Sequence, residues 1–298
     1  MKNKKIISVG VLLSIFMMVR ACGQMTTQVS VKDEQGNSIE GAEVRFSYAR
    51  PQGYESVSKL SNAEGLVKDT GKTNFHLNVR VEKAGYYKAT YAKSNKGTNL
   101  EKNQNHKLDV ILEKVINPIP LHAKKTKIYS KDATTRIGYD FEVGDWVKPY
   151  GKGKSVDVFF KILYDKRSSV DFDYSFEVSF PNSLDGLQEF KGSDTSGLRS
   201  THQAPKQGYL KTWKQIKQRR PNGGITGNQD QSRNYWLRVR SKVDEEGNLI
   251  SAHYVKIYGD FPRIQYYFNP TPNDRNLEFD PQKNLFKNLP YDQKVNQP

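Results

Sequence analysis

Val170-Asp171-Phe172-Asp173-Tyr174-Ser175-Phe176-Glu177-Val178-Ser179-Phe180 alternates apolar and polar residues over its whole length and stops at Pro181. A period of two puts every second side chain on one face of an extended backbone, so this stretch reads as a long strand with one buried face. Proline has no amide proton for a ladder, which ends the run. The same pattern recurs on both sides. Tyr139, Phe141 and Val143 alternate with Asp140 and Glu142, and the apolar run 156–163 suits a central strand. Residues 235–243 and 249–258 flank Asp244-Glu245-Glu246-Gly247-Asn248, which predicts a hairpin with a glycine-assisted loop. Residues 264–268 add a strand before Pro270 and Pro272. Residues 126–298 therefore predict a larger β-sandwich or jelly-roll-like domain with long loops, and the chain as a whole is all-β.

Toward the N-terminus the strands shorten. Phe75, Leu77, Val79 and Val81 alternate with His76, Asn78 and Arg80, and Val44 and Phe46 follow the same rule. Turns are expected at residues 33–37 and 62–65, and Leu108, Val110 and Leu112 form a closing strand. Short strands between turns, with no helical stretch, predict a small β-sandwich over residues 26–116. Val31-x-Asp33-x-x-Gly36-x-x-Ile39-x-Gly41-Ala42-x-Val44, with Asn62-x-x-Gly65 and Val81-x-Lys83-x-Gly85-Tyr86, resembles a carboxypeptidase regulatory-like domain. That resemblance implies an immunoglobulin- or transthyretin-like sandwich serving as a spacer or binding platform, and it implies no peptidase activity. Asn117-Pro118-Ile119-Pro120 begins a stiff connector over residues 117–125. The junction that follows, with Gly144-Asp145-Trp146, is similar to exported bacterial proteins of unknown function and brings no mechanism with it.

The chain opens with Lys2, Lys4 and Lys5 and an apolar run at residues 6–19, too short for a permanent membrane span. Val19-Arg20-Ala21-Cys22 resembles the lipobox of bacterial lipoproteins, with Arg20 unusual in it. The resemblance implies that residues 1–21 are a signal peptide, that Cys22 is lipidated, and that residues 22–25 are a tether. Several acyl chains hold a protein firmly to a bilayer, where one holds marginally. The expected location is the cell envelope, on the outer membrane if the source is Gram-negative. Cys22 is the only cysteine, so no disulfide is expected and stability must come from packed cores. The formal charge is +15; without residues 1–21 it is +11. Such a surface attracts polyanions.

Between the strands, residues 182–234 lack strong periodicity, and long segments of this kind carry function or disorder. Residues 206–220 hold Lys206, Lys211, Lys214, Lys217, Arg219 and Arg220 without an acid, interleaved with Tyr209 and Trp213. Cations attract phosphate, sulfate or carboxylate, and aromatic faces stack on sugars. Tyr209, Trp213, Lys211, Lys214, Lys217, Arg219 and Arg220 are therefore the candidate ligand-binding residues, with Tyr209, Leu210, Trp213 and Ile216 expected along one side of a short helix. Asp140 and Glu142, like Asp171 and Asp173, sit at strand spacing opposite apolar residues and are expected on solvated faces. Gly151-Lys152-Gly153-Lys154-Ser155 lacks the first glycine of a phosphate loop, Lys148 standing in its place, and reads as a basic turn. The five histidines lie too far apart in sequence for a helical zinc pair. No catalytic motif, metal site or cofactor site emerges. The leading function is non-enzymatic binding of an extracellular glycan, an anionic envelope polymer or an envelope protein, with no specific nucleic acid. The alternatives are a polysaccharide or peptidoglycan hydrolase using carboxylates of the second domain, and a structural subunit of an envelope assembly.

Overall fold

The computed structural model describes residues 23–73, 76–94, 105–129, 135–193 and 195–298. The signal-like segment 1–21 and Cys22 lie outside the described residues. The protein is all-β, and the described residues contain no α-helix, hence none long and apolar enough to cross a membrane.

Seven strands come first: β1 (Gly23–Asp33), β2 (Glu43–Arg50), β3 (Gly53–Leu60), β4 (Leu66–Thr73), β5 (His76–Glu82), β6 (Ala89–Ser94) and β7 (Asn105–Leu112). They form a three-stranded sheet, β4-β1-β7, and a four-stranded sheet, β3-β2-β5-β6. Strand β1 runs antiparallel to β4 and parallel to β7. Val29, Val31, Val44, Phe46, Val79, Val81 and Leu112 make one continuous core, so the period of two in the sequence does what it predicts. The turn at Gly65 has φ +72°, and a Cβ there would fall 2.4 Å from the Val31 carbonyl oxygen, so only glycine fits.

Eleven strands follow: β8 (His122–Lys127), β9 (Ile137–Asp140), β10 (Asp145–Trp146), β11 (Val158–Ser168), β12 (Asp171–Ser179), β13 (Gly186–Lys191), β14 (Thr212–Arg219), β15 (Ile225–Gly227), β16 (Arg233–Val243), β17 (Leu249–Tyr258) and β18 (Arg263–Asn269). A six-stranded sheet, β10-β9-β11-β12-β14-β15, faces a five-stranded one, β13-β16-β17-β18-β8. An aromatic core that includes Phe160, Phe176, Trp213, Tyr235, Phe261 and Phe268 fills the space between them. The other face of the five-stranded sheet is covered by the C-terminal segment, through Trp236, Tyr267, Leu277 and Phe279.

Four local expectations change. Residues 23–25, expected as part of a tether, begin β1 and pair with β4, with Met25 buried in the first core. The helix expected at Tyr209–Ile216 is strand β14: Trp213 and Gln215 point inward while Thr212, Lys214 and Ile216 point out, a period of two that the lysines conceal. The segment 182–234 thus contributes three strands. The connector's last residues, 122–125, belong to β8, an edge strand paired with β18.

Residues 87–90 and 116–117 meet the second set of strands around Glu278, whose side chain is 1% exposed. Its carboxylate accepts the Tyr87 hydroxyl at 2.7 Å and the amides of Ile116 and Asn117 at 2.9 and 2.7 Å. Nearby, Thr90 and Gly197 exchange backbone bonds with Thr195 and Lys88, each at 2.8 Å. Glu278→Ala leaves those three donors without an acceptor, and the expected loss is about 2–4 kcal/mol. Urea unfolding checks this, and Glu278→Gln, which keeps one carbonyl oxygen, should lose less.

Candidate functional site

The basic–aromatic residues predicted from sequence do not form one surface. Trp213 is only 9% exposed, with its ring edge-on to Tyr235 at 5.5 Å and near Phe261 at 5.4 Å. Its indole N–H donates to Glu189. A core tryptophan offers no free face for stacking. Tyr209 is half-buried under the Arg238 guanidinium, 4.7 Å from its ring, and donates to the Pro205 carbonyl at 2.7 Å. Lys211 donates to the Asn182 carbonyl. Lys214 pairs with Glu177 at 2.7 Å on the outward face of the sheet, and Arg220 bonds Asp173 at 2.8 Å. Of the cations, Lys217 and Arg219 stand on the inward-facing side of the strand, in register with Tyr174 and Phe172.

The carboxylates also sit elsewhere than expected. Asp140 is 1% exposed and Asp157 is fully buried, so the solvated-face reading of Asp140 is wrong. Residues 137–140 are buried on both faces, which hides the distinction that alternation relies on. One oxygen of Asp140 accepts the amides of Glu142 and Val143, both at 3.0 Å, and the Arg240 guanidinium at 3.1 Å; the other accepts the amides of Lys154 and Ser155 at 2.8 and 3.0 Å. The basic turn 151–155 is therefore a cradle for the protein's own carboxylate. Gly153 is required for that approach, since a Cβ there would lie 2.9 Å from the Asp140 Cβ. Asp157 accepts the Phe141 amide at 2.7 Å and the Arg240 Nε at 2.6 Å, and Glu142 completes the cluster on Arg240. Arg240 sits at a register shift of β16 with φ +54°, and the bulge turns its side chain onto these acids. Acids so fully occupied by structural donors are poorly placed to activate a water. Asp171 and Asp173, by contrast, lie at the surface, paired with Arg167. Among the described residues no group of three His, Cys, Asp or Glu side chains is placed to hold a metal ion.

The feature the sequence did not reveal lies at the open end of the second sandwich. Strands β11, β12 and β14 carry their inner faces past the point where the opposing sheet covers them. In the covered row, Ile162, Phe176 and Gln215 stand side by side. One step outward stand Tyr164, Tyr174 and Lys217, and beyond them Lys166, Phe172 and Arg219. Tyr164 is 55% exposed and meets the rings of Phe172 and Tyr174 edge-on at 5.7 and 6.3 Å. Burial pushes the Tyr174 hydroxyl up to about 12, with Asp260 adding to the effect. Tyr129, 56% exposed, forms the opposite wall with Ile128 and Pro262, and Lys217 and Gln229 line the same space. The result is an open groove of about 470 Å³, floored by aromatic rings and edged by amide and ammonium groups. Volumes of this order suit small-molecule or oligomer units.

No family model matches the chain, and no curated protein matches it. Among solved structures, it is similar to the chlorocatechol 1,2-dioxygenase of Pseudomonas putida over 31% of its length, at 11% identity and a TM-score of 0.28, and covers 61% of that enzyme. A DUF3823 family protein from Parabacteroides merdae matches over 82% of this chain and 96% of its own, at 7% identity and a TM-score of 0.23. A Bacteroides uniformis protein provisionally described as carbohydrate binding matches over 84% and 98%, at 9% identity and a TM-score of 0.21. Likenesses this distant carry no functional argument. What the chain itself defines is an all-β sandwich protein with an open aromatic groove.

Burial holds the Asp157 carboxyl up to about 6, although Arg240 and the Phe141 amide pull it down. The folded protein therefore binds that proton more tightly than the unfolded chain does. This contribution to stability is full below the ordinary carboxylate value of 3.8 and is lost as pH rises through about 6. Arg240→Met removes the main downward pull, so the decline continues toward neutral pH. The variant should lose about 3–5 kcal/mol at pH 8 and clearly less at pH 5. Equal losses at both pH values in urea unfolding would contradict this assignment.

Proposed function

We propose that this chain is an exported, lipid-anchored, non-enzymatic binding protein that holds a glycan in the aromatic groove of its second sandwich. The observation that carries the reading is the row of exposed rings. Tyr129 and Tyr164 stand more than half exposed at a concave mouth that the half-buried rings of Phe172 and Tyr174 also line. Large rings at the rim of a groove suit the apolar faces of sugars, while Lys217 and Gln229 suit their hydroxyls. Residues 26–116 act as a spacer, and the lipobox-like Val19–Cys22 supports tethering through Cys22.

Binding of the full chain, extracted in detergent, to a glycan array tests the site. Tyr164→Ala and Tyr129→Ala should each weaken the best glycan about tenfold, or roughly 1.4 kcal/mol. Both side chains are exposed, so the melting temperature should hold. Retained affinity in both variants would remove the groove from the account. The anchor has its own test: Cys22→Ser should move the protein from the membrane fraction to the soluble one. A variant still extracted only by detergent would refute lipidation as the tether.

A further inference from the structure

A second cavity adjoins the aromatic groove and shares Lys127 and Tyr129 with it. Its volume is about 590 Å³, and Lys125, Arg263, Gln265 and Asp292 contribute to its lining. Its cations come from the pairing of β8 with β18. Lys127 stands directly opposite Arg263, and Lys125 opposite Gln265, two residues along. Like charges placed directly across a strand pair repel, and a fold usually offsets them with a nearby acid. Here Lys125, Lys127 and Arg263 are all exposed, and none forms an ion pair among the described residues. The Lys127 ammonium instead lies 4.4 Å from the centre of the Tyr129 ring, on the wall between the two cavities. Across both cavities, Lys125, Lys127, Lys217 and Arg263 face a single acid, Asp292.

We infer that the ligand is an acidic glycan, one sugar unit lying on the aromatic floor and the carboxylate or sulfate of a neighbouring unit held between Lys127 and Arg263. This rests on the glycan reading of the groove and adds the charge of the ligand to it. An anion between those two cations relieves their cross-strand repulsion, and the shared Tyr129–Lys127 wall makes the two subsites contiguous. A neutral glycan uses the aromatic floor alone. A polyanion without sugar rings suited to that floor uses the cations alone.

The test uses the full chain in detergent at 0.15 M salt, with polygalacturonate, hyaluronate and alginate as probes. Each is compared with its carboxyl-reduced counterpart, which keeps the backbone and removes the charge, and with single-stranded DNA. The expected result is that at least one acidic polymer binds at least tenfold more tightly than its reduced form and than DNA. Lys127→Gln and Arg263→Gln, both surface changes, should each cut that preference several-fold without lowering the melting temperature, and Arg263→Gln, which lies outside the aromatic groove, should leave binding of the reduced form unchanged. Equal binding of an acidic polymer and its reduced form would overturn the acidic inference and leave the glycan reading standing. DNA binding as tight as the best acidic polymer would overturn it as well, by reducing the cations to a nonspecific charge patch. Binding to none of these probes and to no sugar on the array would remove both readings together.

Discussion

Phe261 stacks on Phe176 at 4.9 Å and packs against Phe160, Trp213 and Tyr235, with ring centres 5.0–5.7 Å away. That contact closes the two sheets of the larger sandwich at the row formed by Ile162, Phe176 and Gln215. The next row outward, Tyr164–Tyr174–Lys217, points the same way but has no such ring above it. Core and groove are thus two stretches of one surface, separated by where the loop between β17 and β18 delivers Phe261. A sheet face rich in aromatic rings, yet covered over only part of its length, leaves an aromatic floor open to solvent.

The polar interior is organised on a related plan. Asp140 and Asp157 are carried into the second sandwich and would be costly there without donors. The backbone amides of residues 141–143 and 154–155 supply most of them, and a bulge in β16 brings Arg240 for the remainder. Glu278 plays a comparable part where Tyr87, Ile116 and Asn117 meet the second sandwich, serving a phenol and two amides. In each place a buried acid gathers separate segments of chain. Such positions are poor candidates for catalysis, because their acceptor oxygens are already used. The surface cations opposite each other on β8 and β18 have no such partners, and this difference separates a structural charge from one available to a ligand.

Strand type was legible wherever alternation was clean. The ribbon at residues 170–180 and the described part, 76–81, of the alternating run 75–81 became strands with the expected faces, and the hairpin around Asp244–Asn248 formed. Reading failed where another signal overlay the period. In β14 the lysines and arginines masked an inward alternation of Trp213, Gln215 and Lys217. In β9 the strand is buried on both sides, so Asp140 looked solvated from its neighbours alone. Of the binding residues named from sequence, Lys217 lines the groove and Arg219 lies one row beyond it. The segment 206–220 carries six cations and no acid, but Lys214 stands on the opposite face of the strand from Lys217 and Arg219, and Lys206, Lys211 and Arg220 lie outside it.

The sequence by itself determined an all-β chain and the inward face of the strands that alternate cleanly, because a two-residue period is a local property of the backbone and the side chains beside it. It also placed aromatic residues on that face of β12. Which of those rings would be buried and which would stand open was decided only by the tertiary structure. Exposure depends on where the opposing sheet ends and which side chain fills the gap, and both follow from contacts between residues as distant as Phe176 and Phe261. The same holds for the cations: Lys127 and Arg263 become neighbours only through the pairing of β8 with β18, across more than a hundred intervening residues.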